Sequence, residues 1–302
     1  MTEADMFSNQ PNLVSSPAAD RQSAPALLLV STPIGNLKDM SFRAREALEQ
    51  VDAILCEDTR TSGVLMAAHG IKTKLIALHD HNEEARAPGL IAAMQAGARY
   101  ALISDAGTPL LSDPGYRLTR AAIDAGLHVG GIPGANAAVL ALTLSGLPPH
   151  PFLFSGFLPV KAGPRQTALT RLANAEAAGL AATLIFYEAP HRLAETLADA
   201  AAIFGDRPAA VCRELTKHFE EVVRDTLPNL ATRYAVTPPR GEITLVIGPA
   251  TVEPTSAESL DAALQSALAQ LSLKDAVDAV TAATGLPRRQ VYTRALELSK
   301  KQ

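Results

Sequence analysis

Acidic and hydroxyl side chains are concentrated in residues 104–118, a segment whose backbone conformation is constrained by glycine and proline residues. It follows the strand-like run 100–103 and leads into a helical pattern, so we predict a turn at the carboxyl end of a strand, where open α/β sheets bind ligands. Its glycines permit positive φ angles and its prolines fix φ. The segment is therefore predicted to hold Asp105, Thr108 and Asp113 on a ligand-binding rim, with a rigid turn and an Asx cap as the alternative.

Two further glycine-containing turns follow predicted strands, at residues 31–39 and 130–136. Neither carries G-x-G-x-x-G, and G-x-x-x-x-G-K-S/T occurs nowhere in the sequence, which disfavours dinucleotide and P-loop triphosphate sites. Three strand ends with exposed backbone amides and carbonyls are enough to bind a cofactor that has adenine, ribose and a zwitterionic tail.

The composition limits the architecture that can position these turns. Of the 302 residues 47% are hydrophobic, yet only 4% are aromatic and tryptophan is absent. Such a core suits a parallel sheet covered by helices, and the length predicts two or three domains. The net charge of −4 argues against a globally basic nucleic-acid binder but allows a local basic patch. Cys56 and Cys212 lie in apolar runs, which predicts buried thiols and fits a reducing cytoplasm.

Short β-rich runs alternate with helical patterns through residues 25–147, which predicts an α/β domain with a mainly parallel sheet. The predicted strands span residues 27–31, 53–57, 74–78, 100–104 and 128–132. The predicted helices span residues 41–50, 61–69, 84–96, 115–125 and 136–145.

Residues 146–151 break this pattern and are predicted to lead into a second α/β domain, residues 151–250. Because residues 214–220 carry no helical pattern, the third and fourth strands of this domain are predicted to form an antiparallel hairpin, which makes the sheet mixed. Its predicted strands span residues 152–157, 183–187, 209–213, 221–226 and 243–247.

The final segment, residues 258–302, follows a linker-like stretch at 249–259 and is helical by pattern. Ser272 and Asp275 have capping-box spacing, and residues 284–287 carry a helix stop followed by a proline. Two helices joined by a short turn are typical of a helix-turn-helix module. From Arg288 onward five Lys or Arg residues oppose one acid, a net charge of +4, which favours either an RNA-phosphate contact or an ordinary solvated helix.

The first 24 residues are rich in Ser, Ala and Pro, carry Asp and Glu, and have no apolar run of signal-peptide length. They predict a disordered tail rather than a targeting sequence. No apolar run reaches the roughly 18 residues of a membrane span, so none is expected.

A series of motifs runs in order along the chain from about Leu27 to Leu298. They are Thr32-Pro33-Ile34-Gly35-Asn36-Leu37, Cys56-Glu57-Asp58-Thr59-Arg60, Leu78-His79-Asp80-His81-Asn82-Glu83, Ser104-Asp105-Ala106-Gly107-Thr108-Pro109, Phe157-Leu158-Pro159, Phe186-Tyr187-Glu188-Ala189-Pro190-His191-Arg192 and Arg213-Glu214-Leu215-Thr216-Lys217. In this order they resemble the ribosomal RNA small subunit methyltransferase I family of the tetrapyrrole (corrin/porphyrin) methylase superfamily.

The resemblance implies a cleft between the two α/β domains that binds S-adenosylmethionine, and 2'-O-methylation of a cytidine ribose, cytidine 1402, in the decoding region of 16S rRNA. It implies a homodimer in the cytoplasm with the small ribosomal subunit as partner, and neither DNA nor a membrane. By position, the implied cofactor-binding residues are Pro33, Asp105, Gly107, Thr108, Pro133, Gly134, Ala135, Tyr187 and Thr244, the last in the turn 241–244. Gly134 and Ala135 would serve tight helix–sheet packing as well.

Two other functions stay open. One is a tetrapyrrole methyltransferase of the same fold, such as a precorrin or uroporphyrinogen methylase, and the other is a non-catalytic ribosome-assembly factor. The basic C-terminal helix pair and Glu57-Asp58-Thr59-Arg60 favour RNA over a tetrapyrrole.

Methyl transfer to a sugar oxygen needs in-line positioning and removal of a proton, because a ribose hydroxyl is a poor acid. Asp58, Asp80 and Glu188 are the candidates that orient the hydroxyl or accept its proton. Lys217 is a catalytic candidate that would stabilise the developing alkoxide. The predicted RNA-binding cations are Arg60, Arg192, Arg288, Arg289 and Arg294.

Structural roles compete with several of these assignments. Asp58 is placed to cap the helix that follows it, and Arg192 is placed to pair with Glu188. The segment His79-Asp80-His81 offers two imidazoles, but the sequence identifies no third metal-ligating residue to go with them, so no metal site is expected. The identity of the base stays open at this point.

Overall fold

The computed structural model describes residues 24–250, 257–284 and 286–299. The described residues up to Pro249 form one compact unit and those from Ala250 onward form a second, and each unit is described by itself. The predicted tail, apart from Ala24, and the predicted linker over residues 251–256 lie outside the described residues, as does Gly285 of the predicted turn.

The first half of the larger unit is built on a five-stranded parallel sheet with the order β3-β2-β4-β1-β5. Strands β1, β2 and β4 at the centre of the sheet are largely buried, as their continuous apolar runs predict, and the predicted βα alternation is confirmed. The strands are β1 (Leu27–Val30), β2 (Ala53–Cys56), β3 (Leu75–Ala77), β4 (Tyr100–Leu102) and β5 (Val129–Ile132). The helices are α1 (Phe42–Gln50), α2 (Thr59–Ala68), α3 (Asp80–Gln95), α4 (Tyr116–Asp124) and α5 (Ala137–Ser145), with a short 3-10 turn at Leu37–Asp39.

Two helices begin earlier than the sequence pattern predicts, because side chains cap them at unexpected places. The Asp58 carboxylate accepts the Arg60 backbone N–H at 2.8 Å, so α2 begins at Thr59. The Asn82 side chain accepts the His79 backbone N–H at 3.0 Å, so α3 begins at Asp80 rather than at residue 84. The His79-to-Asn82 motif is therefore the first turn of a helix.

The second half of the larger unit carries a mixed sheet with the order β6-β7-β10-β8-β9. Strands β6 and β7 pair in parallel and the other pairs are antiparallel, so the predicted hairpin of β8 and β9 is confirmed. The strands are β6 (Phe152–Phe157), β7 (Thr183–Glu188), β8 (Pro208–Arg213), β9 (Glu221–Thr226) and β10 (Ile243–Ile247). The helices are α6 (Ala162–Ala177), α7 (Leu193–Phe204) and α8 (Leu227–Val236).

The two faces of the mixed sheet are covered by different parts of the chain. Helices α6, α7 and α8 cover one face through side chains such as Leu169, Leu197 and Leu230. Helix α5, which belongs to the first half, covers the other face, where Ala141 packs with Ile185 and neighbouring residues. The two sheets are thus joined through one apolar helix.

The described residues of the smaller unit form three helices, α9 (Ala257–Leu268), α10 (Leu273–Thr284) and α11 (Arg288–Ser299), around a small apolar core. The predicted helix pair is confirmed, but only half of the predicted capping box forms. The Ser272 hydroxyl oxygen accepts the Asp275 backbone N–H at 3.3 Å, whereas the Asp275 carboxylate accepts the Ser272 hydroxyl at 2.6 Å instead of its backbone N–H. In the part of the chain that the structure describes, no helix has both the length and the apolar character that crossing a membrane requires.

A buried carboxylate on α3 caps α4, whose own cap position carries no side chain. Gly115 occupies that position with φ 115°, and a Cβ there would lie 2.4 Å from Leu102 Cδ2, so only glycine fits. The Glu83 carboxylate, 3% exposed, accepts the Leu118 backbone N–H at 2.7 Å and supplies the missing cap. Glu83 therefore fixes the end of the segment 104–115.

We expect Glu83→Ala to lower the free energy of unfolding by about 1 to 2 kcal/mol, because it leaves a helix N-terminus without its acceptor. Urea unfolding measures this change. Glu84→Ala is the matched control on the same helix: Glu84 is exposed and forms only a surface ion pair with Arg117, so we expect a change below about 0.5 kcal/mol. Equal effects of the two substitutions would contradict the capping role.

Candidate active site

A cleft of about 430 Å³ lies between the two sheets of the larger unit, where the resemblance implied one. Its first wall consists of residues that follow β1, β4 and β5, at the carboxyl edge of the parallel sheet. Its second wall consists of residues at the ends of β6, β7 and β8 and at the start of β10. The volume lies within the range of small-molecule sites, and the position is the one at which open α/β sheets bind ligands.

Five of the nine predicted cofactor-binding residues line this cleft, namely Asp105, Gly107, Thr108, Tyr187 and Thr244. The other four, Pro33, Pro133, Gly134 and Ala135, lie outside its lining. Thr108 Oγ1 donates to the Ala135 carbonyl at 3.2 Å, so that turn supports the lining. A Cβ on Gly134 would lie 2.9 Å from Ser31 Cβ, which matches the packing role that the sequence left open.

The segment 104–115 is held in an unusual backbone path. Gly107 and Thr32 exchange two backbone hydrogen bonds, 2.9 and 3.1 Å, which tie the segment to the turn after β1. Leu110 and Ser112 have φ angles of 72° and 71°, a left-handed conformation that costs a residue with a Cβ about 1 kcal/mol or more. This strain is concentrated in the segment that supplies most of the first wall.

Burial and neighbouring negative charges raise the pKa of two carboxylates of the first wall. Burial raises the pKa of Asp105, against the lowering effect of the hydrogen bond from the Asp58 backbone N–H, and the negative charge of Asp58 adds to the rise. Burial and the charges of Glu57 and Asp105 raise the pKa of Asp113 to about 6. The sequence predicts Asp113 as part of the rim. It does not predict that the fold brings Glu57 and Asp105 close to Asp113, because this proximity depends on tertiary structure.

Asp58 and Arg60 form an exposed ion pair at the start of α2, with their closest atoms 2.7 Å apart. The Arg60 side chain, followed by backbone hydrogen bonds, lowers the pKa of Asp58 to about 2. A carboxylate with so low a pKa is a weak base, and neither residue lines the cleft. The capping role that the sequence allowed for Asp58 is the one that the structure shows.

Glu188 and Arg192 hold the turn that follows β7. The Glu188 carboxylate is fully buried, accepts the Thr196 hydroxyl at 2.6 Å and the Ala189 N–H at 2.8 Å, and lies 3.2 Å from Arg192. The Arg192 guanidinium donates to the Leu158 carbonyl at 2.7 Å. Both side chains thus have internal partners, and the roles predicted for them, Glu188 toward a substrate proton and Arg192 toward RNA, stay predictions.

Lys217 lies between two carboxylates, 2.9 Å from Glu214 and 3.0 Å from Glu242. Burial alone would lower the pKa of Lys217, but hydrogen bonds to both carboxylates outweigh it and raise the pKa. Lys217 therefore stays protonated.

Asp80 is exposed in the first turn of α3 and is not part of the cleft lining.

The loop that carries Lys217 also joins the two halves of the larger unit. A Cβ on Gly35, in the turn after β1, would lie 2.4 Å from Lys217 Cγ and 2.9 Å from Thr216 Oγ1. This close approach needs a glycine at residue 35. The sequence reveals the glycine but not the loop against which it packs.

Two of the three predicted RNA-binding arginines of the smaller unit are engaged within it. Arg288 lies 2.7 Å from Asp278, and Arg294 makes two hydrogen bonds of 2.6 Å to Asp261. Arg289 is exposed and has no ion pair with the residues that the structure describes. Two of the three described arginines of the predicted basic face are thus paired with acids of the same module.

The cleft suits a ligand that combines an apolar ring with a positive charge. Ile34 and Leu215 supply apolar surface, whereas Asp105 and Asp113 supply negative charge. These features fit S-adenosylmethionine, which has an adenine ring, an ammonium group and a sulfonium. Over residues 24–250, 257–284 and 286–299, no three His, Cys, Asp or Glu side chains are grouped as metal ligands are.

We expect Asp113→Asn to stabilise the protein at neutral pH but not in acid. Because folding raises the pKa of Asp113 to about 6, ionisation of this carboxyl destabilises the folded protein. The loss of stability is absent below about pH 4 and develops as the pH rises through 6. After allowance for solvent screening of a partly buried carboxylate, the variant should gain roughly 1 kcal/mol at pH 7.5 and nothing at pH 4. Urea unfolding at both pH values checks this, with exposed Asp206→Asn as control. A gain that is equal at both pH values would contradict it.

Comparison with known proteins agrees with this architecture. Residues 26–231 match the family of tetrapyrrole (corrin/porphyrin) methylases, and residues 253–299 match the RsmI C-terminal HTH domain. Among solved structures, a conserved hypothetical protein from Aeropyrum pernix K1 has a TM-score of 0.57 at 19% identity, over 92% of this chain and 98% of that one. A diphthine synthase has a TM-score of 0.56 at 17% identity, over 74% and 90%. These two likenesses show the fold.

Curated relatives are similar over nearly their whole length. The ribosomal RNA small subunit methyltransferase I of Mesorhizobium japonicum is 50% identical over 92% of this chain and 94% of its own length. That of Synechocystis sp. is 46% identical over 90% and 98%. On this evidence the chain belongs to the ribosomal RNA small subunit methyltransferase I family, within the tetrapyrrole methylases.

Proposed function

We propose that this protein transfers a methyl group from S-adenosylmethionine to the ribose 2'-oxygen of a cytidine, cytidine 1402, in the decoding region of 16S rRNA. The observation that carries the proposal is the acidic cleft at the carboxyl edge of the first sheet, in a chain whose relatives are named as methyltransferases of small-subunit rRNA. The proposal includes a homodimer, the cytoplasm as its setting and the small ribosomal subunit as substrate partner.

The two walls of the cleft have distinct parts in this proposal. Asp105 and Thr108 on the first wall, with Tyr187 and Thr244 on the second, would hold the donor, while Ile34 and Leu215 would supply apolar surface for its ring. When bound, the donor supplies an activated methyl group on a positively charged sulfur. The protein's own contribution is to orient the methyl group, exclude water and provide negative charge beside the sulfonium.

An aromatic side chain at the cleft supports a nucleoside substrate. Phe157, at the end of the edge strand β6, lines the cleft and is 54% exposed, and its ring centroid lies 5.7 Å from that of Tyr187. Unstacked RNA bases are commonly bound by stacking on aromatic rings. Together with the C-terminal helical module, this platform favours RNA over a tetrapyrrole as the substrate.

The test is transfer of a labelled methyl group to 30S subunits and to free 16S rRNA, followed by nuclease mapping. We expect one labelled cytidine whose 3' phosphodiester resists alkali, because methylation blocks the 2'-oxygen. Asp105→Arg should weaken donor binding at least tenfold in calorimetry, because it places a cation beside a cationic ligand. The control is Asp206→Arg, a surface change outside the cleft lining.

Three results would overturn the proposal. Label on a base rather than on the ribose would exclude 2'-O-transfer, and a tetrapyrrole chromophore in the purified protein would indicate a different substrate. Donor binding without transfer to either RNA substrate would indicate a non-catalytic assembly factor.

The ion pairs of the C-terminal module indicate which of its arginines have a structural role and which is the better candidate for an RNA contact. We expect Arg289→Ala to weaken RNA binding and to reduce the slope of log affinity against log salt by about 1, because it removes one phosphate contact. Arg294→Ala should instead lower the thermal stability of the module, because it leaves Asp261 without a hydrogen-bond partner that it has in the structure. RNA affinity titrated against salt, together with circular dichroism melts, checks both. Unchanged affinity after Arg289→Ala would show that this helix does not contact RNA.

A further inference from the structure

Asp113 differs from the other carboxylates of the cleft in having no partner among the residues that the structure describes. Asp105 accepts the Asp58 backbone N–H at 3.3 Å, Glu188 is bound to Thr196, and Glu242 pairs with Lys217. Asp113 lines the same cleft but makes no hydrogen bond or ion pair with any residue that the structure describes. Its carboxylate oxygens are thus available to a bound molecule.

The backbone that carries Asp113 is fixed from several directions. Ser112, just before it, has φ 71°, and a Cβ on Gly156 of β6 would lie 3.1 Å from Ser112 Oγ, so the second wall packs directly against this turn. On the other side Gly115 packs against Leu102, and Glu83 caps the helix that follows. A carboxylate held by this much surrounding structure is positioned before any ligand arrives.

We propose that Asp113 is a catalytic residue of the methyl transfer, the general base that accepts the proton of the ribose 2'-hydroxyl. This inference rests on the proposed function. In the step, an electron pair of the 2'-oxygen forms the new bond to the methyl carbon while the carbon–sulfur bond breaks and its pair stays on sulfur, which becomes a neutral thioether. The 2'-hydroxyl proton passes to a carboxylate oxygen of Asp113.

The surroundings of Asp113 match this role. The charged and titratable groups around it are Asp105 of the first wall, Glu57, which follows β2 outside the cleft lining, and Tyr187, Glu188 and Glu242 of the second wall. Burial, together with the charges of Glu57 and Asp105, raises the pKa of Asp113 to about 6. A base with a pKa near the working pH is more effective than an ordinary carboxylate, and it is still mostly ionised at pH 7.

The role predicts a specific pH dependence. In the wild-type protein the single-turnover rate of methyl transfer should rise about tenfold per pH unit in acid and level off at or somewhat below pH 6, because a bound cationic donor lowers the pKa that Asp113 has in the free protein. Glu57→Gln removes a negative neighbour of Asp113, so the midpoint should move to lower pH. The plateau rate should fall only slightly, because a lower pKa makes Asp113 a slightly weaker base. Asp113→Asn should lose about 100-fold to 10,000-fold in plateau rate, and the acid limb should disappear.

The experiment measures single-turnover rates on 30S subunits from pH 5 to 8.5 for wild type, Asp113→Asn, Asp113→Glu and Glu57→Gln. Calorimetry measures the affinity of each for S-adenosylmethionine, and carboxyl ¹³C NMR of the protein without donor or RNA follows the titration of Asp113 directly. We expect Asp113→Asn to lose at least about 100-fold in rate but less than about tenfold in donor affinity, because Asp105 keeps its negative charge in the cleft. We also expect partial rescue by Asp113→Glu and an NMR midpoint near 6 that Glu57→Gln lowers. Thermal melts confirm that each variant is folded.

Contrary results identify which claim fails. Wild-type transfer to the 2'-oxygen with a rate for Asp113→Asn within threefold of wild type would overturn the role of Asp113 and leave the proposed function standing. A loss of donor affinity equal to the loss of rate would make Asp113 a donor-binding residue and overturn its role as base. Absence of 2'-O-transfer by the wild-type protein would overturn both claims.

Discussion

The cleft depends on the packing of one short apolar helix, α5, between parts of the chain that are far apart in sequence. It follows β5 of the parallel sheet, yet its buried side chains, Ala138, Ala141 and Leu142, pack with residues of the mixed sheet such as Ala210 and Val246. The small alanine side chains allow helix and sheet to approach closely, and the interface buries apolar surface throughout. Because the helix belongs to one half and its contact surface to the other, this interface sets the separation of the two cleft walls.

Side chains of the second half fix both ends of the same helix. Arg224 of β9 donates to the Ser145 carbonyl at 3.1 Å and also to the Leu144 carbonyl, which satisfies the C-terminal end with a cation. At the N-terminal end the Tyr187 side chain packs against the apolar cluster that contains Ala138, and Ala137 lines the cleft. Any shift of α5 would therefore move Tyr187 with it, so the position of the second wall is coupled to that of the first.

The sequence is sufficient to predict features that depend on local patterns. The alternation of apolar runs and helical periods places both sheets, and the Gly/Pro turn after residue 103 identifies the wall that carries Asp105 and Thr108. What it cannot predict depends on partners distant in the chain. Arg294 is paired by Asp261, which lies 33 residues earlier, and Glu83 caps a helix that begins 33 residues later at Tyr116. Residue type alone does not separate such structural charges from functional ones.

Whether an acid near the cleft has a cationic partner within the protein determines whether its charge is structural or is available to a ligand. The fold provides cations for Asp58, Glu188 and Glu214, and each of these acids consequently has a structural role. Among the residues described, the fold provides no cation for Asp113. Burial and the neighbouring negative charges therefore oppose ionisation of this carboxyl, and the surrounding packing holds it in place at a cost in stability. A positively charged ligand in the cleft reverses this balance, because its charge favours the ionised carboxylate and lowers the pKa of Asp113. Binding and ionisation are then reciprocal: a cationic donor binds more tightly as the acid loses its proton, and its arrival leaves the carboxylate ready to accept one.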